Sequence, residues 1–186
     1  MDKFFEYDKY FSTQKVQPFK TYATVQIKNE EKEVIGMFLR NTDDGHNKMM
    51  ICDPDGKKLA QMQSGEGDTS FRTVKKMLEI TDENEKVIAK VHAKNAIGAT
   101  WYIDSPKGDN LGEVHVGLAG EKILDASGEQ IASIGMSAGG VAKRFLTKAK
   151  SWNVTFTKEL DPEKTLLFKS AGLLLSVILR YQTFIG

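Results

Sequence analysis

Apolar and polar residues alternate along most of the chain, and short polar clusters interrupt the alternation. Five segments show an alternating run, a polar centre and a second alternating run, at 24–39, 49–62, 77–91, 101–116 and 122–134. Each centre holds an acid, Asn, Pro or Gly, several of which favour turns because they accept a positive φ or bond nearby backbone groups. Alternation with a period of two is typical of half-buried strands, so the pattern predicts five β-hairpins.

Two further alternating segments, 7–13 and 152–157, bring the prediction to about twelve strands between residues 7 and 157. Twelve antiparallel strands are expected to close into a barrel, because closure removes exposed strand edges. Such a barrel is wider than its own side chains can fill, since eight strands already approach that limit. The sequence therefore predicts a mainly β fold, with one domain over residues 1–186 and a separate element inside its closed barrel.

The last segment, at about 162–185, has the pattern of a helix that is buried on all sides. Asp161 suits the N-cap, Pro162 suits the first helical position, and residues 171–179 are apolar nearly all round. A narrow polar stripe on one face consists of Lys169, Ser176 and Arg180, together with Leu173. The alternative is a membrane anchor, but the ten uncharged residues from 170 to 179 span only about 15 Å, against about 30 Å of hydrocarbon. We expect a central helix inside the barrel and no transmembrane span.

Composition narrows the possible functions. The chain has 26 Lys and Arg against 25 Asp and Glu, a net charge of +1, which argues against a nucleic-acid partner. The N-terminus has no apolar core of a signal peptide, and the single cysteine, Cys52, permits no internal disulfide. We expect a cytoplasmic protein, either free or peripheral to the membrane, that uses no cofactor and no metal.

The candidate binding site is a basic connection between the last two predicted strands. It carries Lys143, Arg144, Lys148 and Lys150 with no acid, beside Phe145 and Leu146. Such a cluster is suited to an anionic lipid headgroup, at about 1 kcal/mol per basic residue near a charged membrane. The alternative is a solvated loop that covers the barrel end. Two other basic groups, Lys57/Lys58 and Arg72/Lys75/Lys76, are interpreted as solvated strand ends.

No set of residues has the spacing that catalysis or metal binding requires. The acids at 53–56 and 82–85 lack the distal Glu of a calcium loop and are interpreted as turns. His46, His92 and His115 lack zinc-site spacing and are interpreted as structural, the alternative being that His92 and His115, which each end a predicted strand, approach each other. Cys52 has no assignable base and is interpreted as a buried thiol. We therefore predict a protein that is not an enzyme. The aromatic N-terminus, with Phe4 and Phe5, is predicted to open the first strand and seal one barrel end.

A twelve-stranded barrel around a hydrophobic C-terminal helix resembles the tubby-like superfamily, in particular its phospholipid scramblase and LURP-one-related branch. The resemblance rests on the hairpin LEITDENEKVIAKV (78–91), the basic-aromatic AKRFLTKAKSWNVTF (142–156) and DPEKTLLFKSAGLLLSVIL (161–179), and covers about residues 4–185. It implies a binding module, since tubby-like domains hold phosphoinositide headgroups with surface lysines and arginines. The chain departs from scramblases in having no cysteine cluster for palmitoylation and no proline-rich N-terminal arm.

Three hypotheses follow. The first is a non-catalytic module that binds anionic phospholipid or phosphoinositide headgroups at a basic surface. The second is a protein-interaction or regulatory scaffold with no lipid role, whose partner is another protein. The third is an enzyme or small-ligand carrier, which requires an empty interior that the helix is expected to fill.

Overall fold

The computed structural model describes residues 2–14, 25–41, 48–64, 77–94, 99–117, 120–136 and 151–181. These residues form a short 3-10 turn, Lys3–Glu6, then twelve strands and one α-helix. The strands are β1 (Lys9–Gln14), β2 (Val25–Lys28), β3 (Val34–Asn41), β4 (Lys48–Cys52), β5 (Lys58–Ser64), β6 (Leu78–Asp82), β7 (Val87–Ala93), β8 (Thr100–Asp104), β9 (Asn110–Gly117), β10 (Gly120–Asp125), β11 (Gln130–Met136) and β12 (Ser151–Phe156). The helix, α1, is Pro162–Tyr181.

The twelve strands form one closed antiparallel barrel in which every strand pairs with its neighbours in sequence. Closure is made by β1 and β12, with Lys9 opposite Thr155 and Thr13 opposite Ser151. The prediction of a mainly β, closed twelve-stranded barrel with a C-terminal helix is confirmed. The first and last strands begin one or two residues from their predicted positions, at Lys9 and Ser151.

The helix fills the interior of this barrel. Its 20 residues span about 30 Å, while strands of 4 to 8 residues span about 13 to 26 Å, so α1 is longer than any of these strands and long enough to pass through the barrel. Its buried apolar residues are Leu167, Phe168, Ala171, Leu173, Leu174, Leu175, Val177 and Ile178. At Gly172 a Cβ atom would lie 2.7 Å from Ile123 Cδ1, so the glycine lets the helix approach β10 closely. In the part of the chain that the structure describes, no helix is long and apolar enough to span a membrane.

Two residues of the predicted polar stripe are buried inside the barrel and have partners. Ser176 Oγ accepts a hydrogen bond from Trp152 Nε1 at 2.9 Å and donates to Leu173 O at 2.6 Å. Lys169 is only 5% exposed and contacts the N-terminal segment. The side chain of Arg180 lies outside the described residues. These two polar side chains therefore anchor the helix to the rest of the protein, since buried polar groups need hydrogen-bond partners.

Antiparallel strands joined in sequence place alternate links at opposite ends of the barrel. The links after β2, β4, β6, β8 and β10 lie at one end, which we call the turn end. The links after β1, β3, β5, β7, β9 and β11 join strands at the other end, which we call the loop end. Because Phe156 pairs with Ala132, near the start of β11, β12 finishes at the turn end. The helix therefore enters the barrel at the turn end and runs toward the loop end.

The N-terminal residues cover the barrel where the helix enters. Asp2 caps the 3-10 turn by accepting a hydrogen bond from Phe4 N at 2.9 Å. Phe4 and Phe5 are buried with their rings 5.1 Å apart, and Tyr10 Oη donates to Phe4 O at 2.9 Å. These two phenylalanines belong to a 3-10 turn that precedes β1 and is not part of the strand. The expectation that the aromatic N-terminus seals one end of the barrel holds for this segment.

Candidate functional site

Five links at the turn end share one five-residue geometry. They are 29–33, 53–57, 82–86, 105–109 and 125–129. In each, the first residue donates its backbone N–H to the fifth residue's carbonyl, and the fourth donates to the first. A side-chain oxygen of the first residue accepts from the fifth residue's N–H, as Asp53 Oδ1 does from Lys57 N at 2.8 Å. The fourth residue always has a positive φ, from 63° at Glu85 to 97° at Gly108. The acidic clusters at 53–56 and 82–85 are therefore turns, as predicted.

Charge separates along the barrel axis. The five turns contain eleven Asp and Glu against four Lys, a net charge of −7. The sequence that joins strands at the loop end, at 15–24, 42–47, 65–77, 94–99, 118–119 and 137–150, contains ten Lys and Arg against four Asp and Glu, a net charge of +6. The overall charge of +1 thus conceals two sets of links with opposite net charge. This difference in net charge can be read from the sequence, because the predicted series of hairpins already assigns alternate links to opposite ends of the barrel.

The predicted headgroup residues Lys143, Arg144, Lys148 and Lys150 lie outside the described residues, as do Phe145 and Leu146. They belong to the sequence between Met136 of β11 and Ser151 of β12, which is a loop-end link. The basic group at 72–76 lies in the link between β5 and β6, which joins strands at that same end. Their role in binding stays a prediction.

Lys57 and Lys58 lie at the opposite end of the barrel from those groups, and both are paired with acids. Lys57 Nζ is 2.6 Å from Glu83 Oε2, and this partner raises the pKa of the ammonium group. Lys58 forms an ion pair with Glu85. These lysines therefore cross-link neighbouring turns at the turn end.

A buried lysine holds the N-terminal segment over the turn end. Lys169 Nζ donates to Phe5 O at 2.9 Å, to Tyr7 O at 2.5 Å and to Asp8 Oδ1 at 3.3 Å. The ammonium group also lies 5.4 Å from the centre of the Phe156 ring. Burial lowers the pKa of Lys169, and the Asp8 carboxylate opposes that effect. The sequence offered only the position of Lys169 on a helix face, because its carbonyl partners lie more than 160 residues away.

Two clefts flank the chain between β12 and α1 at this end. One has a volume of about 430 Å³ and reaches Lys169, with Glu6, Asp8 and Glu159 among its lining residues. The other, of about 300 Å³, is lined by Asp125, Lys158 and Phe168 among others. Hydrogen bonds from Ser127, the Glu129 backbone and Lys158 lower the pKa of Asp125 to about 2. Neither cleft contains a histidine or Cys52.

The two described histidines lie on the outer wall of the barrel. His92 Nδ1 is 3.3 Å from Asp104 Oδ2, and His115 Nε2 is 2.7 Å from Glu113 Oε2. They do not face each other across one ladder, because β8 lies between their strands and each contacts its own carboxylate. His46 lies outside the described residues. Cys52 is buried, and burial raises the pKa of its thiol, which fits the predicted inert thiol.

Comparison with known proteins gives a likeness in fold. The X-ray structure of a protein from Arabidopsis thaliana, AT5G01750, matches with a TM-score of 0.56 over 94% of this chain and 91% of the plant chain, at 7% sequence identity. No family model matches the sequence, and no curated protein matches it. At this identity the likeness concerns architecture alone. It agrees with the barrel architecture, while the tubby-like superfamily and its scramblase and LURP-one-related branch stay a prediction.

Proposed function

We propose that this protein is a non-catalytic binding module of the tubby-like type that engages anionic phospholipid or phosphoinositide headgroups with the loop end of its barrel. The residues we assign to this role are Lys143, Arg144, Lys148 and Lys150. The observation that supports the proposal is the separation of charge between the two sets of links, with a net charge of +6 in the loop-end links and −7 in the turns. We place the protein in the cytoplasm, peripheral to the membrane.

The filled interior favours a surface site over an internal one. A ligand-carrying barrel needs an empty cavity, whereas α1 places apolar side chains along this one. An anionic membrane attracts basic residues by about 1 kcal/mol each within a Debye length and repels acids over the same range. The loop end is therefore the end that meets such a surface. This argument weakens the third hypothesis, an enzyme or small-ligand carrier.

A second candidate is a scaffold that binds an acidic protein partner and no lipid. The separation of charge favours it equally, because a negatively charged protein surface attracts the same end. The two candidates differ in whether pure lipid is sufficient for binding.

Co-sedimentation with vesicles separates these candidates. We expect the protein to pellet with phosphatidylserine or phosphoinositide vesicles at low salt, to bind less at physiological salt, and to ignore neutral vesicles. Changing Lys143, Arg144, Lys148 and Lys150 together to Gln should abolish binding. The matched control, Lys57→Gln with Lys58→Gln, removes charge at the turn end and should leave binding intact. Absence of binding at low salt would exclude the lipid role and leave the scaffold.

A further inference from the structure

The two described histidines lie near the loop end of the barrel. His92 is the last residue but one of β7, and His115 lies two residues before the end of β9. His46 belongs to the sequence 42–47 between β3 and β4, outside the described residues. Both described imidazoles are on the outside of the barrel, since Val91 and Val114 beside them are fully buried. The side chains of His92 and His115 are 31% and 47% exposed.

Lysines and a tyrosine surround these two histidines on neighbouring strands. Tyr102 lies opposite His92 in the β7–β8 ladder, with the two rings 5.3 Å apart. Lys94 Nζ lies 5.2 Å from the centre of the Tyr102 ring. Lys122 of β10 lies opposite His115. We call His92, Lys94, Tyr102, His115 and Lys122, together with the paired acids Asp104 and Glu113, the histidine wall.

The charge of the histidine wall depends on the two imidazoles. Asp104 faces His92 and Glu113 faces His115, so these carboxylates balance Lys94 and Lys122 when both histidines are neutral. The remaining charged neighbours, Lys90 on β7 and Glu79 on β6, lie opposite each other and cancel. Histidine is the side chain that ordinarily changes charge between about pH 5 and pH 8. Protonation of both therefore takes the wall from a net charge of zero to +2.

We propose that the histidine wall is a flank of the anion-binding loop end and makes binding to anionic phospholipid proton-dependent. This inference rests on the proposed function. The wall lies close to the rim of the barrel at the loop end, because His92 and His115 lie one and two residues from the ends of their strands, about 3 and 7 Å along them. Both distances to the rim are within the Debye length of about 8 Å at physiological salt, so protonation of the wall changes the electrostatic potential at this rim.

The test measures the affinity of the full chain for phosphatidylglycerol vesicles at pH 7.5 and at pH 6.0. The phosphodiester of this lipid keeps its charge over that range, so a change in affinity reports on the protein. We expect binding to be about threefold to tenfold tighter at pH 6.0, since each charge near an anionic membrane contributes about fivefold. The double variant His92→Gln, His115→Gln should bind at pH 6.0 only as tightly as the wild type at pH 7.5. Thermal unfolding of the variant at both pH values controls for folding.

The outcomes separate this inference from the proposed function. Wild-type protein that ignores the vesicles at both pH values overturns the proposed function and the inference with it. Binding that is equal at both pH values overturns the inference alone. The same holds if the double variant keeps the full pH dependence, which would assign the proton dependence to other groups, such as His46.

Discussion

The turn end and the loop end are built from the same twelve strands but joined by different kinds of chain. At the turn end, one five-residue geometry recurs five times, with the same backbone bonds and an acid, Asn or Ser in first position. At the loop end, the links range from two residues, 118–119, to fourteen, 137–150. Recurrent short turns fix strand pairing, whereas links that vary in length and composition are where binding surfaces usually develop. The comparison suggests that one end maintains the fold and the other is available for recognition.

The largest loss of stability is expected from a change in α1, because both ends of the barrel depend on this helix. Leu174 is fully buried in α1. Leu174→Asp places an unpaired carboxylate inside the barrel and should abolish soluble folding, at a cost of about 4 kcal/mol or more, the upper range for single substitutions. Soluble expression and circular dichroism measure this loss. Leu174→Met preserves volume and should cost less than about 1.5 kcal/mol. Thermal unfolding of Leu174→Asp like that of the wild type would contradict the central-helix structure.

A smaller effect, confined to the turn end, is expected from Lys169→Met. This change leaves the buried carbonyls of Phe5 and Tyr7 without their donor, which should lower the free energy of unfolding by about 1 to 3 kcal/mol. Amide exchange of Phe4 and Phe5 should accelerate, while exchange in strands at the loop end should not. Lys164→Met is the control, because Lys164 is exposed on the same helix and should contribute less than about 0.5 kcal/mol. Unchanged exchange at Phe5 would contradict the anchoring role of Lys169.

A third prediction concerns the pH dependence of a single turn. Asp125→Ala removes the acceptor for Ser127 N and Glu129 N and should cost about 1 kcal/mol at pH 7, as loss of a side-chain cap does. The pKa of Asp125 is about 2, below its usual 3.8, so the carboxylate stabilises the fold above about pH 4 and loses this effect as the pH falls through 2. The stability difference between wild type and variant should therefore shrink toward pH 2. Denaturant titrations at both pH values measure it, and a constant difference would contradict the assignment.

The smallest change in stability is expected from exchanging a glycine and a non-glycine residue at the fourth position of a turn, where the five turns differ. Lys32 holds the positive φ that Gly56, Gly108 and Gly128 hold elsewhere, at 68°. A non-glycine residue in this region costs about 1 to 2 kcal/mol, partly offset by the greater chain entropy of an unfolded glycine. Lys32→Gly should therefore raise the free energy of unfolding by about 0.5 kcal/mol. The reverse change, Gly56→Ala, should lower it by about 1 kcal/mol, and a gain in stability from that variant would rule out the shared geometry.

The barrel could be predicted because its signals are local. Alternation within each hairpin, the residues of each turn, and the apolar run at 171–179 are all visible within a few consecutive residues. Together they identified the strands, the turns and the interior helix. The exception is the N-terminal aromatic segment, where Phe4 and Phe5 form a 3-10 turn. Asp2 bonds the backbone of Phe4 there, and this local bond competes with a strand.

The features that the sequence did not predict depend on distant partners. Lys169 looked like part of a polar helix face, because its carbonyl partners at Phe5 and Tyr7 lie at the other end of the chain. The separation of charge between the two sets of links is not visible in the total net charge of +1, because this total adds the positive and negative links together. The neighbours of His92 and His115 can be identified only from the registers of four strands, which the spacing of residues along the sequence does not give. The basic residues at 143–150 remain a prediction.

The pairing of β1 with β12 imposes an order of events on the growing chain during translation. Lys9 can pair with Thr155 only after most of the chain has been synthesised, so barrel closure needs a contact between distant parts of the sequence. Every other ladder joins strands that are neighbours in sequence. The hairpins can form as they are synthesised, but α1 follows them all, and their inward-facing apolar side chains have nothing to cover them until it arrives. Local hairpins favour fast early steps, and the late closure makes the last step slow and prone to aggregation. A nascent chain stalled before Pro162 is therefore expected to be an open sheet with exposed apolar side chains, which aggregates readily and binds chaperones.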